Sequence, residues 1–391
     1  MRCICKINFR GGGGMKKIFA KISSMNGVYK AFLVYFLILL LALTYKCFPI
    51  FDQSETINNL SFSHDGKKIV FDRCRNVGCQ IQVYDLATGE LAAYKSPLTK
   101  RWTMGKYSYD GKKITFSIIP IKITGDLNLN KMQIAVMDAD GKNFKKVTTG
   151  PGAKLYPTFS HNGKKILYAR AARIREKGKT PAADYDAWEV DLTTGKQTQL
   201  SHFEYFYMGY LSYFPDDERF MYYGELPSIF EGERLSAGGG GYNPRLIELA
   251  KRGMGIHAVV EMKGKDLIPT MYNFGDKVVP EKPLLSKDGS VLIFGKAAEA
   301  GTFYLYSSDG NHRLVGSGGS VDSAAISPDG TLLGMISVKL GIHIFSVPDG
   351  QRQKDLYVPY AKKKIVNWKE SHKGNKYLYK MIPEKPSRIL N

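Results

Sequence analysis

The sequence has few cysteines and lacks the common motifs of metal and nucleophile chemistry. Its 391 residues include five Cys, and neither Cys-x-x-Cys nor His-Glu-x-x-His occurs. Gly-x-Ser-x-Gly, which sets a serine nucleophile on a strand-to-helix turn, is also missing. These absences argue against a dithiol redox protein, a zinc protease and a serine hydrolase of that type. The sequence therefore assigns no catalytic residue, metal ligand or cofactor.

Acidic residues are missing from the N-terminal region, which also lacks a long apolar run. Residues 1–46 contain eight Lys and Arg and no Asp or Glu. The apolar run Ala31–Tyr45 is shorter than the roughly 20 residues that usually span a bilayer. Positive charge precedes this run far more than it follows it, which predicts a cytosolic segment 1–30 and an exported remainder.

We therefore expect a transmembrane signal anchor over residues 31–46, in a bacterial inner membrane, with the bulk of the chain in the periplasm. A cleaved signal peptide, which would give a periplasmic or secreted protein, is the alternative. Met15 begins a Met-Lys-Lys sequence typical of bacterial export starts. A further hypothesis is that residues 1–14 are not translated.

A repeat occupies most of the remaining chain. Seven ten-residue segments align without gaps, and several share the pattern Ser-x-Asp-Gly followed by an alternating apolar strand. They begin at Phe62, Tyr107, Phe159, Tyr213, Leu285, Ile326 and Glu370. Asp-Gly and Asn-Gly favour tight hairpin turns because these residues tolerate positive φ. A third strand, a second turn and a short fourth strand follow in at least five units, which predicts four-stranded antiparallel blades.

Ser-Pro-Asp-Gly at Ser327–Gly330, its variants and the Asp-x-x-x-Gly turn after the third strand resemble the TolB-type (WD40-like) β-propeller repeat. The resemblance implies a ring of blades that binds partners across one face without chemistry of its own. TolB has an α/β domain before its propeller. Here about ten residues separate the apolar run from the first repeat, so that domain is not expected.

The expected fold is thus an all-β propeller after one N-terminal transmembrane helix. Seven blades are expected, with six as the alternative. We assign residues 47–56 to a linker or closing strand, residues 57–382 to the propeller and residues 383–391 to a tail. The seventh unit is incomplete, with strands expected over Ile365–Trp368 and Lys376–Ile382.

The longest insertions all fall between the second and third strands of their units, and strand alternation places these loops on one face of the ring. They are Ile118–Lys131, Arg170–Tyr185 and Glu225–Ile256. We call this side the insertion face and the opposite side, with the tight turns, the turn face. Insertions confined to one face often mark a binding surface.

Arginines, lysines and tyrosines on the insertion face are the candidate partner-binding residues, because these residue types dominate protein interfaces or pair with anions. The alternative is that the aromatic residues only pack the insertions onto the ring. The candidates are Arg173, Arg175, Lys177, Tyr205, Tyr207, Tyr210, Arg234, Tyr242 and Arg245. His64, His161 and His372 share one turn position and are expected to be structural, whereas His202 and His257 would be tested as ligands.

The net charge of +20 suggests anionic partners, although a merely soluble, lysine-rich surface gives the same charge. We expect a non-catalytic docking platform for an envelope protein or an anionic glycan, and no nucleic-acid partner. A polysaccharide lyase or hydrolase at the channel mouth is the alternative.

Cys74 and Cys79 flank one hairpin loop, and in an oxidising envelope they are expected to form a disulfide.

Overall fold

A computed structural model describes most of the repeat region and a short N-terminal stretch. The described residues are 26–28, 31–39, 56–75, 78–97, 99–122, 125–174, 182–227, 257–268, 272, 274, 278, 280–296, 299, 301–318, 323–337, 341–357 and 376–379. The chain divides into two compact units, Met1–Gln53 and Ser54–Asn391.

In the first unit, residues 31–39 are helical, and most of their apolar side chains are exposed. Among the described residues, no helix has the length and apolar character needed to cross a membrane. Residues 40–46 of the predicted anchor lie outside the described part of the chain, as do residues 1–25 and 47–55.

The second unit consists of antiparallel strands that follow one another as meanders of four. Each meander begins with an inner strand and ends with a short or peripheral strand. The first three meanders are β1 Thr56–Phe62, β2 Lys68–Arg75, β3 Gly78–Asp85 and β4 Leu91–Tyr94; β5 Lys100–Tyr107, β6 Lys113–Pro120, β7 Gln133–Asp138 and β8 Lys145–Lys146; and β9 Ala153–Phe159, β10 Lys165–Ile174, β11 Ala182–Asp191 and β12 Gln197–Gln199.

The next three meanders have the same order. They are β13 Tyr205–Tyr213, β14 Arg219–Pro227, β15 His257–Lys263 and β16 Asp266–Ile268; β17 Pro280–Leu285, β18 Leu292–Lys296, β19 Phe303–Tyr306 and β20 His312–Gly316; and β21 Ala324–Ile326, β22 Leu332–Ser337, β23 Gly341–Ser346 and β24 Arg352–Tyr357. A final strand, β25, covers Lys376–Tyr379, and a 3-10 turn covers Leu129–Lys131.

The inner strands contact one another in the order β1, β5, β9, β13, β17, β21 and back to β1, which closes a ring. Buried apolar side chains fill the spaces between neighbouring meanders, as where Gly334 lies against Leu60 and Phe62. The prediction of an all-β propeller built from four-stranded antiparallel sheets is confirmed.

The predicted number of blades is wrong for the described residues. They form five hydrogen-bonded sheets, of which three have four strands, one has five and one has eight. The eight-stranded sheet arises because Tyr185 of β11 pairs with Tyr205 of β13 and so joins two meanders. The described residues therefore form neither seven nor six separate hydrogen-bonded sheets, although six meanders close the ring.

The seventh repeat does not start a new blade in the described residues. Its segment Lys376–Tyr379 pairs with β4 as the fifth strand of the first sheet. β4 is buried along its whole length, and its outer edge would otherwise carry unpaired backbone groups, which a fifth strand satisfies. The predicted strand Ile365–Trp368 lies outside the described residues.

Candidate functional site

A repeated bulge distorts five of the six inner strands. In each, the register with the neighbouring strand shifts at the middle, and one non-glycine residue takes a φ of 53–61°. These bulge residues are Asn59, Met104, Tyr156, Tyr210 and Lys282. Left-handed backbone is costly for bulky side chains, and such strain and bulges cluster near functional sites, where they re-aim side chains. The bulges therefore indicate that a functional site should be sought along the inner strands.

A cavity follows the axis of the ring and has an empty volume of about 1080 Å³ including its solvent-open part. Four of the bulge residues line it, together with the residue that precedes each of the first six repeat segments. We call these six residues the channel ring: Ser61, Lys106, Thr158, Ser212, Leu284 and Ala325. Hydroxyl groups and apolar side chains dominate the wall, and no Asp or Glu is among its described lining residues.

Lys106 is the charged member of the channel ring. Its ammonium donates one hydrogen bond, of 3.4 Å, to the carbonyl oxygen of Leu211 on β13. Burial lowers the pKa of Lys106 to about 8. The side chain as a whole is half-buried, because the channel gives it access to water. Lys106 therefore places a weakly satisfied positive charge within the ring.

Asp72 fixes the strand segment that carries Lys106. Its buried carboxylate accepts hydrogen bonds from Thr103 Oγ1, from Asn59 Nδ2 and from the backbone N–H groups of Met104, at 2.8 Å, and Gly105, at 3.5 Å. Burial raises the pKa of Asp72 to about 6, against the opposing effect of these donors. The carboxylate thereby couples the first meander to the bulge of the second.

Contacts cross the axis at the turn face. His161 Nε2 lies 2.8 Å from the carbonyl oxygen of Lys287, and the Lys287 ammonium donates a 3.1 Å hydrogen bond to the Tyr109 carbonyl oxygen. The rings of Tyr109 and His161 stack at 3.7 Å between centroids. Because these residues come from three different meanders, they narrow the channel at this end.

Two of the predicted tyrosines, Tyr207 and Tyr210, contact Tyr156 on β9 near the insertion face. Tyr207 donates or accepts a 2.7 Å hydrogen bond with the hydroxyl of Tyr156, whose ring stacks on Tyr210. Tyr210 lines the cavity. Tyr205 is almost fully buried and packs edge-on against Tyr222, so it is a packing residue, as the alternative interpretation expected.

The arginine-rich insertion of the third meander is mostly strand where it is described. β10 and β11 continue the hairpin as far as the pair Ile174 and Ala182, so the predicted loop Arg170–Tyr185 is a longer hairpin. Extra cross-strand pairs satisfy its backbone, and an ion pair of 2.8 Å joins Arg173 to Asp184. Arg173 still exposes about half of its side chain.

Five predicted site residues lie outside the described part of the chain. They are Arg175, Lys177, Arg234, Tyr242 and Arg245. His202 is exposed, and the side chain of His257 is outside the description. Within the described residues, no group of three or more His, Cys, Asp and Glu is placed to hold a metal ion.

Cys74 and Cys79 form a disulfide in the structure. The two residues are directly paired across β2 and β3, with their Cα atoms 4.0 Å apart. The bond lies next to the turn of this hairpin, on the side of the second-to-third-strand loops.

Lys106, Tyr156 and Asp72 were not identified from the sequence, although one signal was present. Aligning the first six repeats places Ser, Lys, Thr, Ser, Leu and Ala at the channel-ring position. Among these six aligned residues, Lys106 is the charged one. Because side chains alternate between the two faces of a strand, the aligned residues lie at equivalent positions in their strands. The bulges carry no comparable signal, because their residues share no common side chain.

The fold and its axial cavity define a β-propeller. The sequence matches no protein-family model and no curated protein. Solved structures with a similar fold include TolB from Acinetobacter baumannii, with 17% identity and a TM-score of 0.44 over 66% of this chain. This chain covers 54% of that TolB, or about half of its length.

Two further structures have a similar fold. The putative TolB from Agrobacterium tumefaciens shares 16% identity, with a TM-score of 0.44 over 71% of this chain and 87% of that one. An oligogalacturonate lyase in complex with manganese shares 14% identity, with a TM-score of 0.49 over 77% of this chain and 78% of that one. At these identities the likeness concerns the fold alone.

Proposed function

We propose that this chain is a membrane-tethered, non-catalytic binding platform of the bacterial cell envelope, which docks an acidic protein or an anionic glycan on its insertion face. The supporting observation is the combination, near one end of the channel, of grouped tyrosines on β9 and β13 with the projecting hairpin of β10 and β11. Exposed cations beside rigid aromatic rings are well suited to an anionic partner.

The tether and the location are part of this proposal. Their support is the apolar run between Lys30 and Lys46 and the excess of positive charge before it. With the anchor in the inner membrane, the propeller would lie in the periplasm. The basic body of the chain would then face an envelope rich in acidic polymers.

The test uses three cations of the insertion face. Changing Arg173, Arg175 and Lys177 together to Ala should weaken binding to alginate or polyglutamate about tenfold and flatten its dependence on salt, because fewer ion contacts form. Alginate represents an anionic glycan and polyglutamate an acidic protein, so their relative affinity distinguishes the two partner classes. Affinity is measured by titration calorimetry at several salt concentrations.

The matched control removes the same number of charges from the turn face. Changing Lys67, Lys112 and Lys164 to Ala should leave the affinity nearly unchanged. If both triple variants lose affinity equally, binding depends on net charge and the insertion face has no special role.

The alternative function is a polysaccharide lyase or hydrolase with its site at the channel mouth. Such an enzyme is distinguished from a platform by turnover: alginate incubated with the full chain, with and without added divalent cations, would be shortened. An unchanged chain length with measurable binding favours the platform.

A further inference from the structure

A buried lysine that only supports the fold is normally surrounded by acceptors, and this protein contains an example. The ammonium of Lys154 donates to the carbonyl oxygens of Met132, Gly150, Pro151 and Gly152 at 2.8–3.4 Å. Its side chain is fully buried, and the donors of the ammonium are used up by these carbonyls. This is the arrangement expected when a lysine serves packing and stability.

Lys106 differs from Lys154 in the number of its hydrogen bonds and in the exposure of its side chain. It has a single, long hydrogen bond to Leu211, and no carboxylate pairs with it among the described residues. Lys106 lines the open cavity, and its hydrogen bond to Leu211 uses one of the three N–H donors. An ammonium with unused donors in an open cavity is available to a ligand, whereas the ammonium of Lys154 is not.

The cavity wall defines the chemistry of a ligand. Thr158 shares the channel ring with Lys106, and its hydroxyl could donate to an anion. The hydroxyls of Ser61 and Ser212 already bond the Phe62 carbonyl oxygen, at 3.4 Å, and Tyr109. Leu60, Phe62 and Leu284 supply apolar surface beside them. The second lining lysine, Lys287, already donates to the Tyr109 carbonyl oxygen at the turn face, so the channel ring itself carries one positive charge. One ammonium balances one negative charge, which favours a monoanion such as a carboxylate over a phosphate dianion.

We infer that the axial channel binds a small organic carboxylate, whose charged group pairs with the Lys106 ammonium and whose apolar or aromatic body lies against the channel wall. This site is separate from the insertion-face hairpin and does not depend on the docking function proposed above. The Asp72 hydrogen bonds to Met104 and Gly105 hold the backbone immediately before Lys106 and so position its side chain.

The test titrates benzoate into the full chain and into a Lys106→Met variant. Wild-type protein should bind benzoate, and the variant should bind it at least tenfold more weakly, because a charge-assisted hydrogen bond contributes at least the energy of a tenfold change. Lys112→Met, which removes a charge from an exposed turn, is the control and should bind as the wild type does. Benzyl alcohol, the neutral relative of benzoate, should also bind at least tenfold more weakly.

Thermal unfolding of the same proteins separates loss of the site from loss of the fold. Lys106→Met should melt cooperatively at or above the wild-type temperature, since burial of an unpaired charge is relieved. If that variant does not fold, the ¹³Cε resonance of Lys106 in labelled wild-type protein is the second measurement, and it should shift on addition of benzoate.

Three results would overturn the inference: absence of benzoate binding to wild type at tens of millimolar, equal binding by Lys106→Met, or an unmoved Lys106 resonance. Inorganic phosphate is tested in parallel. Phosphate affinity equal to or greater than that of benzoate would show a general anion site and reject the carboxylate assignment.

Discussion

At the scale of single residues, two aspartates occupy buried positions that disfavour the ionised carboxylate. Asp72 and Asp186 are both buried, and burial raises the pKa of each to about 6. Each carboxylate accepts backbone hydrogen bonds from residues at the start of the following meander, Met104 for Asp72 and Phe203 for Asp186. The two aspartates thus link successive meanders through charge-assisted hydrogen bonds, which are stronger than neutral ones.

The pKa of Asp72 gives a pH-dependent prediction. Because its folded pKa lies above its unfolded value, the folded state holds the proton more tightly, and Asp72 contributes less stability as the pH rises from about 4 to 6. Relative to Asp72→Asn, the unfolding free energy of wild type should fall by up to about 3 kcal/mol across this window and stay constant above it. Urea unfolding at pH 4.5, 5.5, 6.5 and 7.5 measures this difference.

Asp138→Asn is the control for Asp72. Its exposed carboxylate has a lowered pKa, caused first by the hydrogen bond from Lys113, so the difference from wild type should not fall as the pH rises. Parallel pH profiles for wild type and Asp72→Asn would contradict a raised pKa for Asp72.

At the scale of elements, the tight turns after the inner strands share similar backbone φ angles at their glycines. The atoms that surround these glycines differ from turn to turn. Gly111 and Gly163 occupy the same turn position with φ of 72° and 70°. A Cβ atom at Gly163 would meet nothing within 4 Å, whereas one at Gly111 would lie 2.0 Å from Nδ1 of His64. A side chain from a neighbouring meander, that of His64, therefore occupies the Cβ position at Gly111, whereas the Cβ position at Gly163 is open.

This difference predicts unequal costs for the same substitution. Gly163→Ala should destabilise the protein by about 1 kcal/mol, the cost of left-handed backbone for a residue with a Cβ atom. Gly111→Ala should cost more, because the His64 ring must also move. Adding His64→Ala to Gly111→Ala should reduce its cost to that of Gly163→Ala, as measured by denaturant unfolding. Equal costs for the two single variants would show that His64 does not pack there in solution.

At the scale of the whole molecule, the disulfide bears on the compartment proposed for the propeller. Cys74 and Cys79 are joined across one hairpin, and the bond closes a loop that is too short to add much stability by chain entropy. Such bonds persist in oxidising compartments and are rare in the cytosol. The disulfide is therefore consistent with an exported propeller, which is the arrangement proposed above.

If, as proposed, the positive charges before the apolar run hold the N-terminus in the cytosol and the propeller is exported, a reporter that is active only in the cytosol, fused after Asn391, should be silent. In the same cells, thiol labelling without reductant should leave Cys74 and Cys79 unmodified. A Cys79→Ser variant is the control, since it frees the half-buried Cys74 for labelling. An active reporter together with two reactive thiols would place the propeller in the cytosol and contradict the proposal.

The sequence by itself determined the elements of this fold. Asp-Gly and Asn-Gly fix the turns because few other residue pairs tolerate their backbone, and alternating apolar residues fix which side of each strand is buried. The same repeat therefore predicted the four-stranded antiparallel sheets. It also led to the expectation of a Cys74–Cys79 bond, since the hairpin turn and strand pairing are local.

Only the tertiary structure decided which residues meet at the axis. Lys106 reaches the carbonyl of Leu211, and His161 reaches that of Lys287, across separations of 105 and 126 residues. The bulges, the joining of β11 to β13 and the pairing of β25 with β4 likewise depend on contacts between distant segments. Local propensity carries no information on such contacts, because they exist only once the ring has closed and brought the inner strands together.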